Sequence, residues 1–545
     1  MSRARSWWGW GWADGQVDGD ELDGIGALLA DRFGVEVPAP ASPVDPSRLR
    51  LPAPRVRVPN SLQALVSDEV TDRFRHAHGN GFRDVVRALH GDVDTAPDLV
   101  LRPRDAGEVA AVLDWCSEQG VACLPWGGGT SVVGGVRPPE DPCVSLDLEH
   151  LGAVVEVDEV SGTARIEGGA MGPAIEDQLR PQGLTLRHFP QSWEFSTLGG
   201  WIATRAGGHF ATGPTHIDDL VASVTAQTPS GEWRSRPLPG SGAGPSPDRW
   251  LLGSEGTLGV ITEAVVRVQA RPQSRAQATF ALPSFADGLA AVRAIVRHGL
   301  QPANCRLLDP VEATMAGASR PGEEATLLVL GFEAPDGPLE EPMAVAVELV
   351  ADHGGRLRDG PVQRRGDATG SSSGSAGAWR SAFLRMPYLR DGLARFGAVV
   401  ETFETAVPWA HASEVVEDLR ARATAAAREV CGGGQVAVRT THAYPDGVAP
   451  YLSVIAPGPG LAEEGAARGR AAAGAWDEIK VAVSEAIEAA GATITHHHAV
   501  GRDHRRWYDR QRPEPFAAAL RAAKAELDPA GVLNPGVLFD PAARP

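Results

Sequence analysis

The stretch PWGGGTSVVGG (125–135) sits between two segments that read as strands, VACLPW before it and CVSLDLEHL after it. Few folds can use such a loop. No Lys-Ser/Thr pair follows the glycines, so it is not the phosphate loop of a nucleoside triphosphatase. A dinucleotide fingerprint would open a helix inside the motif, whereas here the chain runs through Pro138 and Pro139 into the next strand. What is left is a turn whose successive backbone N–H groups form an anion-binding concavity. Gly127, Gly128 and Gly129 bring no side chains, so a diphosphate can approach the backbone, and Thr130 and Ser131 add hydroxyl donors.

Two later segments have the same character. FPQSWEFSTLGGWIATRAGG (189–208) turns from an extended stretch into a glycine-rich one, and LLGSEGTLGVITEAVVRV (251–268) places small residues just before a strand. A large planar ligand needs small residues wherever backbone must lie against its face. Three such loops in one region point to one shared, elongated ligand.

The rest of the chain bounds the answer. At 545 residues it needs more than one core. A net charge of −18 argues against nucleic acid, whose phosphates need a positive field, but leaves room for a local anion pocket built from a few arginines. No run of about 18 apolar residues could cross a bilayer, and the N-terminus has no apolar core of a secretory signal. Cys116, Cys123, Cys143, Cys305 and Cys431 are scattered and odd in number, which fits free thiols in a reducing cytoplasm and argues against a thiolate zinc site.

The pattern is α+β. Residues 1–96 read as an irregular extension with short helices, 97–271 as a first α+β domain, 272–500 as a second, and 501–545 as a helical tail. The stretches 235–249, 366–378 and 456–474 are rich in Gly, Ser, Pro or Ala and read as surface loops.

Near the tail stands ITHHHAVGRDHRRWYDR, with His496, His497 and His498 in a row. ATITHHH reads as a strand, which would place His496 and His498 on one face and His497 on the other. An i, i+2 histidine pair can hold a metal. No Cys or carboxylate lies beside it before Asp503, so no metal is expected, and acid–base or substrate-positioning work by one or two of the three is the favoured reading.

The motifs PWGGGTS, GSEGTLGVITEA and LDPAGVLNPGVLF together resemble the FAD-binding domain of the vanillyl-alcohol oxidase (PCMH-type) superfamily. Within it the chain is most similar to the alkylglycerone-phosphate synthase family, through WWGWGWADG, SWEFSTLGGWIATRAGG, CRLLD, LRDGLARFG, ETFETAVPW, THAYPDGVAPYLSV and THHHAVG, in that order along nearly the whole chain. The resemblance implies a PCMH-type FAD-binding domain over 97–271, completed by 501–545, with an α+β cap domain between them. It implies FAD contacts at Pro125, Trp126, Gly127, Gly128, Gly129, Thr130 and Ser131; at Gln191, Ser192, Trp193, Glu194, Phe195, Ser196 and Thr197; at Thr204, Arg205, Ala206 and Gly207; and at Glu255, Gly256, Thr257, Leu258, Gly259, Val260 and Ile261. Thr130 stands where relatives that attach flavin covalently often carry a histidine, so the FAD is expected to be non-covalent.

By the same resemblance Tyr451 is the active-site tyrosine, with Tyr444 its confusable neighbour, and Arg306 and Arg390 bind the substrate phosphate. The implied reaction replaces the acyl group of acyl-dihydroxyacetone phosphate by a fatty alcohol, with the flavin N5 as nucleophile and no net redox change. The implied partner is a phosphate-bearing lipid substrate, in a cytoplasmic protein for which peripheral membrane contact and a homodimer are both open. The competing readings are an FAD-dependent dehydrogenase or oxidase of a 2-hydroxy acid or alcohol, and a non-catalytic binding protein. Hydroxy-acid relatives tend to carry Glu-His-Gly where this chain has a histidine in place of the glutamate, which favours the synthase reading.

Overall fold

The computed structural model describes residues 3–319, 323–365 and 375–540. Among the described residues three larger sheets organise it, beside a two-stranded pair of Leu184–Thr185 and Gln269–Ala270. The first is small and built around the glycine loop: Leu99–Leu101, Cys143–Asp147 and Ala122–Trp126 lie parallel in that order, with Val66–Ser67 antiparallel at the edge. Its crossover helix Ala106–Gln119 starts where the Asp105 carboxylate accepts the N–H of Glu108, and ends at the left-handed Gly120. The strand Ala122–Trp126 therefore delivers the chain directly into the glycine loop.

The second sheet is antiparallel, in the order Val154–Asp158, Thr163–Glu167, Val260–Arg267, Val221–Thr228 and Gly231–Arg234. Its helix-facing side packs Ile166, Val224, Ala264 and Val266 against Leu198, Trp201 and Ile202 of the short helix Leu198–Thr204. That contact fixes the second small-residue loop, and the start of the strand Val260–Arg267 fixes the third.

The third sheet is antiparallel and the widest. Arg356–Arg365, Ser274–Leu282, Thr326–Ala334, Asn304–Leu308, Gln435–Ala443, Gly447–Ala456 and Val399–Glu404 follow one another, with Val407–Pro408 added beside Gly447–Ala456. The helices Phe285–Arg297, Glu340–Ala351, Ala412–Cys431 and Gly465–Ala489 cover one side and form the largest hydrophobic core, with Trp476 1 % exposed at its centre.

Several local expectations are corrected. The stretch 456–474 is a loop only at its start, because the helix Gly465–Ala489 begins inside it. Alanine is the best helix former, and Ala472 and Ala473 are buried by packing. Of 366–378, residues 366–374 lie outside the described residues and a helix runs from Ser375. The N-terminal extension holds a regular helix, Gly19–Phe33, whose Leu22, Ile25 and Leu29 pack with Phe396 and Ala398. ATITHHH is not a strand: between Ala492 and Val500 the backbone forms bends and makes no ladder.

Candidate active site

One continuous cavity runs between the glycine loops and the third sheet. On one side lie Pro125, Trp126, Gly127, Gly128, Gly129, Thr130, Ser131, Gln191, Ser192, Ser196, Thr197, Thr204, Ala206, Gly207, Glu255, Gly256, Gly259 and Ile261. All three small-residue loops thus meet around one space.

Seven of the residues assigned to FAD do not reach it, and each has a visible reason. Phe195 packs between Trp10 and Trp12, and Glu194 accepts from the indole of Trp12 at 2.6 Å. Trp193 lies against Phe189. Arg205 turns outward to Asp218, 2.7 Å away. Leu258 and Val260 belong to two hydrophobic cores, and the Thr257 hydroxyl donates to the carbonyl of Ser254 at 2.6 Å.

Two features of the walls fit a dinucleotide. A Cβ on Gly128 would stand 1.6 Å from the carbonyl oxygen of Phe195, so the loop must be glycine to lie this close to its neighbour. Asn534, 4 % exposed, donates from Nδ2 to the carbonyls of Gly135 and Glu255 at 3.1 and 2.7 Å. Two carbonyl acceptors settle which amide atom is nitrogen. Its Oδ1 is buried without a protein partner, and the residue stands in the cavity wall. Glu255 holds a left-handed conformation (φ 50°) and accepts the N–H groups of Val500 and Gly501 at 2.9 and 2.8 Å. Burial pushes its pKa up to about 7 against those two bonds. It ties the third small-residue loop to the segment just after the histidines.

The histidine run is organised by a carboxylate that sequence reasoning did not place there. Glu404 ends the strand Val399–Glu404, opposite Tyr451 in register. Its oxygens accept the backbone N–H groups of His496 (3.1 Å), His497 (2.8 and 2.9 Å) and His498 (2.6 Å), and the hydroxyl of Thr495 at 2.6 Å. The run bends around this one group instead of joining a ladder. His497 Nδ1 lies 2.5 Å from Oε2. Burial raises the Glu404 pKa, but His497, His498 and His496 pull harder, so it stays well below the usual carboxylate range. The expectation of no neighbouring carboxylate is therefore corrected. Among the described residues, Glu404 with His497 and His498, and His442 with His496 and His497, each place ligand atoms within 4.8 Å of one another. In the structure the Glu404 oxygens are already taken by the N–H groups of the run.

The division of the run also differs from strand alternation. His497 and His498 line the cavity with Tyr451, and His496 does not. Tyr451 stacks at 6.3 Å on His497 and meets His498 edge-on at 5.8 Å. His496 turns away, its Nε2 2.8 Å from the hydroxyl of Tyr444. Burial lowers the pKa of His498 to about 4. Burial raises that of Tyr451, with Arg439 opposing.

The predicted arginines separate. Arg390, on the helix Ser375–Arg395, lines the cavity and is held by Asp391 at 2.7 Å and by the carbonyl of Asn80 at 2.7 Å. Arg306 does not reach the cavity. It is 2 % exposed in the middle of a buried strand, where it donates to the backbone carbonyls of Thr441 and His209. Burial drops its pKa to about 9. The cations facing the cavity from this sheet and its helix are Arg439, 2.6 Å from Glu312 and 3.9 Å above the Tyr451 ring, and Lys480, 2.7 Å from Glu401. Neither was singled out in the sequence. Glu404 and Asn534 were missed as well, although ETFETAVPW and LDPAGVLNPGVLF, which contain them, marked the right stretches. Met315, Met386, Leu393, Val400 and Ile455 give this end of the cavity an apolar wall.

Known proteins share this chain's sequence pattern and fold. A family described as FAD binding domain matches residues 97–235, and one described as FAD linked oxidases, C-terminal domain, matches 271–538. The alkyldihydroxyacetonephosphate synthase of Dictyostelium discoideum is 30% identical over 88% of this chain and 79% of its own length. That of Caenorhabditis elegans is 28% identical over 98% and 95%. A solved structure of an alkyldihydroxyacetonephosphate synthase, 25% identical, superposes with a TM-score of 0.77 over 97% of this chain and 98% of that one. With its three small-residue loops meeting around one cavity, the chain belongs to the alkyldihydroxyacetonephosphate synthase family of FAD-dependent enzymes.

Proposed function

We propose that the enzyme replaces the acyl group of acyl-dihydroxyacetone phosphate by a fatty alcohol, forming an ether lipid precursor. The carrying observation is the continuity of one cavity from the FAD loops, past Tyr451, His497 and His498, to Arg390, Arg439 and the apolar wall of Met386 and Leu393. FAD held by these loops would supply a nucleophilic ring nitrogen for the exchange.

The chain's own groups do the rest. Arg390 and Arg439 are pre-oriented by Asp391 and Glu312, and guanidinium forks suit a phosphate dianion. His497, backed by Glu404 on Nδ1, presents its other nitrogen as the base that takes a substrate proton and returns it. Tyr451, between Arg439 and the two histidines, orients the group being exchanged. The substrates are lipids, so we place the enzyme at the cytoplasmic surface of a membrane; among the described residues no helix is long and apolar enough to cross one.

Incubation of the flavin-loaded protein with acyl-dihydroxyacetone phosphate and labelled hexadecanol should yield labelled ether and free fatty acid. No ether from yellow, folded protein would refute the reading. Anaerobic bleaching of the flavin by a 2-hydroxy acid would favour the dehydrogenase reading instead.

A further inference from the structure

We propose that Tyr444 and His216 form, with His496, a hydrogen-bonded line that conducts protons between the cavity and the protein surface. The inference rests on the reaction proposed above only in that His497 takes a proton there.

The direction of every bond follows from two anchors that only accept, a backbone carbonyl at one end and a carboxylate at the other. His216 Nδ1 lies 3.2 Å from the carbonyl oxygen of Arg205. A carbonyl only accepts, so Nδ1 carries the hydrogen and Nε2 of the neutral ring is bare. That Nε2 lies 2.9 Å from the Tyr444 hydroxyl, which must donate to it. The hydroxyl oxygen then accepts from His496 Nε2, 2.8 Å away, and this nitrogen also comes within 3.3 Å of His216 Nε2. His496 Nδ1 is left bare, 3.1 Å from His497 Nδ1, whose hydrogen faces Glu404. Each gap lies within or just beyond ordinary hydrogen-bond range. His442 stands beside the line but outside it, because its Nε2 is bonded to the carbonyl of Gly208 at 2.8 Å.

The two ends face different surroundings. His497 lines the cavity, while the side chain of His496 is 6 % exposed and stands behind it, outside the cavity wall. Tyr444 and His216 are half-buried, next to the exposed Arg205. Burial keeps His496 and His216 below the ordinary histidine range and pushes Tyr444 up to about 12, so the resting line is neutral.

The transfer balances. His497 takes a substrate proton on Nε2 and releases its Nδ1 hydrogen to Glu404 Oε2, which lies 3.9 Å from His496 Nδ1 and passes the hydrogen on to that bare nitrogen. His496 releases its Nε2 hydrogen to the Tyr444 oxygen, and Tyr444 releases its own to His216 Nε2. His216 gives its Nδ1 hydrogen to water at the Arg205 carbonyl. One proton enters, one leaves, and the reverse sequence returns it.

The test compares the wild-type holoenzyme with Tyr444→Phe, His216→Ala and His216→Asn. Tyr444→Phe removes one oxygen and little packing. With FAD content and melting temperature kept, kcat should fall about 10- to 100-fold with KM unchanged. The solvent deuterium isotope effect on kcat should rise, and added imidazole should restore His216→Ala. Wild-type turnover in flavin-loaded Tyr444→Phe and His216→Asn overturns the line, as does a loss that neither changes the isotope effect nor responds to imidazole. Should the wild type form no ether, the proposed reaction fails by itself. The line is then read without turnover, as the rate at which bound-flavin absorbance follows a stopped-flow pH jump. Slower responses in the variants support it; equal rates overturn it.

Discussion

Glu404 Oε2 lies 2.5 Å from His497 Nδ1, and the same carboxylate accepts the backbone N–H groups of all three consecutive histidines. One charge therefore fixes both the path of the loop and the orientation of the ring facing the cavity. A buried carboxylate with this many donors cannot be replaced by an amide, because the amide nitrogen would confront N–H groups.

Glu404→Gln should therefore destabilise the holoprotein by about 3 kcal/mol and lower turnover, while the glycine loops still hold FAD. Urea unfolding of the flavin-loaded protein measures the first effect, and the ether-forming assay the second. Unchanged stability would mean that the nest of N–H groups is not what holds the loop.

Stability should also fall in mild acid. His498 has its pKa held near 4 by burial, against about 6.5 in the unfolded chain. The unfolded chain thus takes up a proton that the folded one refuses, so the contribution is full above pH about 6.5 and is lost as pH falls from about 6.5 to 4, about 3 kcal/mol in all. His498→Asn should flatten the dependence of the urea midpoint on pH across that window. An unaltered slope would assign the loss to other groups.

Arg390 and Arg306 should respond differently to the same change. Arg390→Lys keeps the charge but loses the fork in the cavity, so KM for the phosphate-bearing substrate should rise about 10- to 100-fold with little change in melting temperature. Arg306→Lys loses buried bonds to two backbone carbonyls and should lower the melting temperature with KM unaltered. The reverse pattern would return Arg306 to the substrate site.

Gly128→Ala should abolish flavin retention. Its Cβ would lie 1.6 Å from the Phe195 carbonyl oxygen, so one of the two loops must move. The flavin-to-protein absorbance ratio after gel filtration should drop to background, and a yellow variant would disprove this.

Much of the flavin half was legible, because its information is local: glycines and small hydroxyl residues next to strands define an anion cradle without knowing the rest of the fold. The cap side was less so. Glu404 meets the histidines from more than 90 positions away, and Arg306 finds its carbonyls 97 and 135 positions away. No local spacing encodes such pairs. ATITHHH reads as a strand through its β-branched residues, yet its N–H groups bond a carboxylate instead of a ladder. The alanine-rich segment from Gly465 has the composition of a loop and the propensity of a helix, and packing selects the helix.

The glycine loop is gripped from two distant parts of the chain. Arg5 donates to the carbonyl of Gly128 at 3.2 Å, and Asn534 donates to that of Gly135 at 3.1 Å, while Cys123 just upstream pairs with Leu533. A growing polypeptide on the ribosome cannot close this cradle until residues 532–534 have left the exit tunnel. Capture of the cofactor thereby waits on a segment 399 positions downstream of Gly135, and yellow colour becomes a built-in report that this segment has docked.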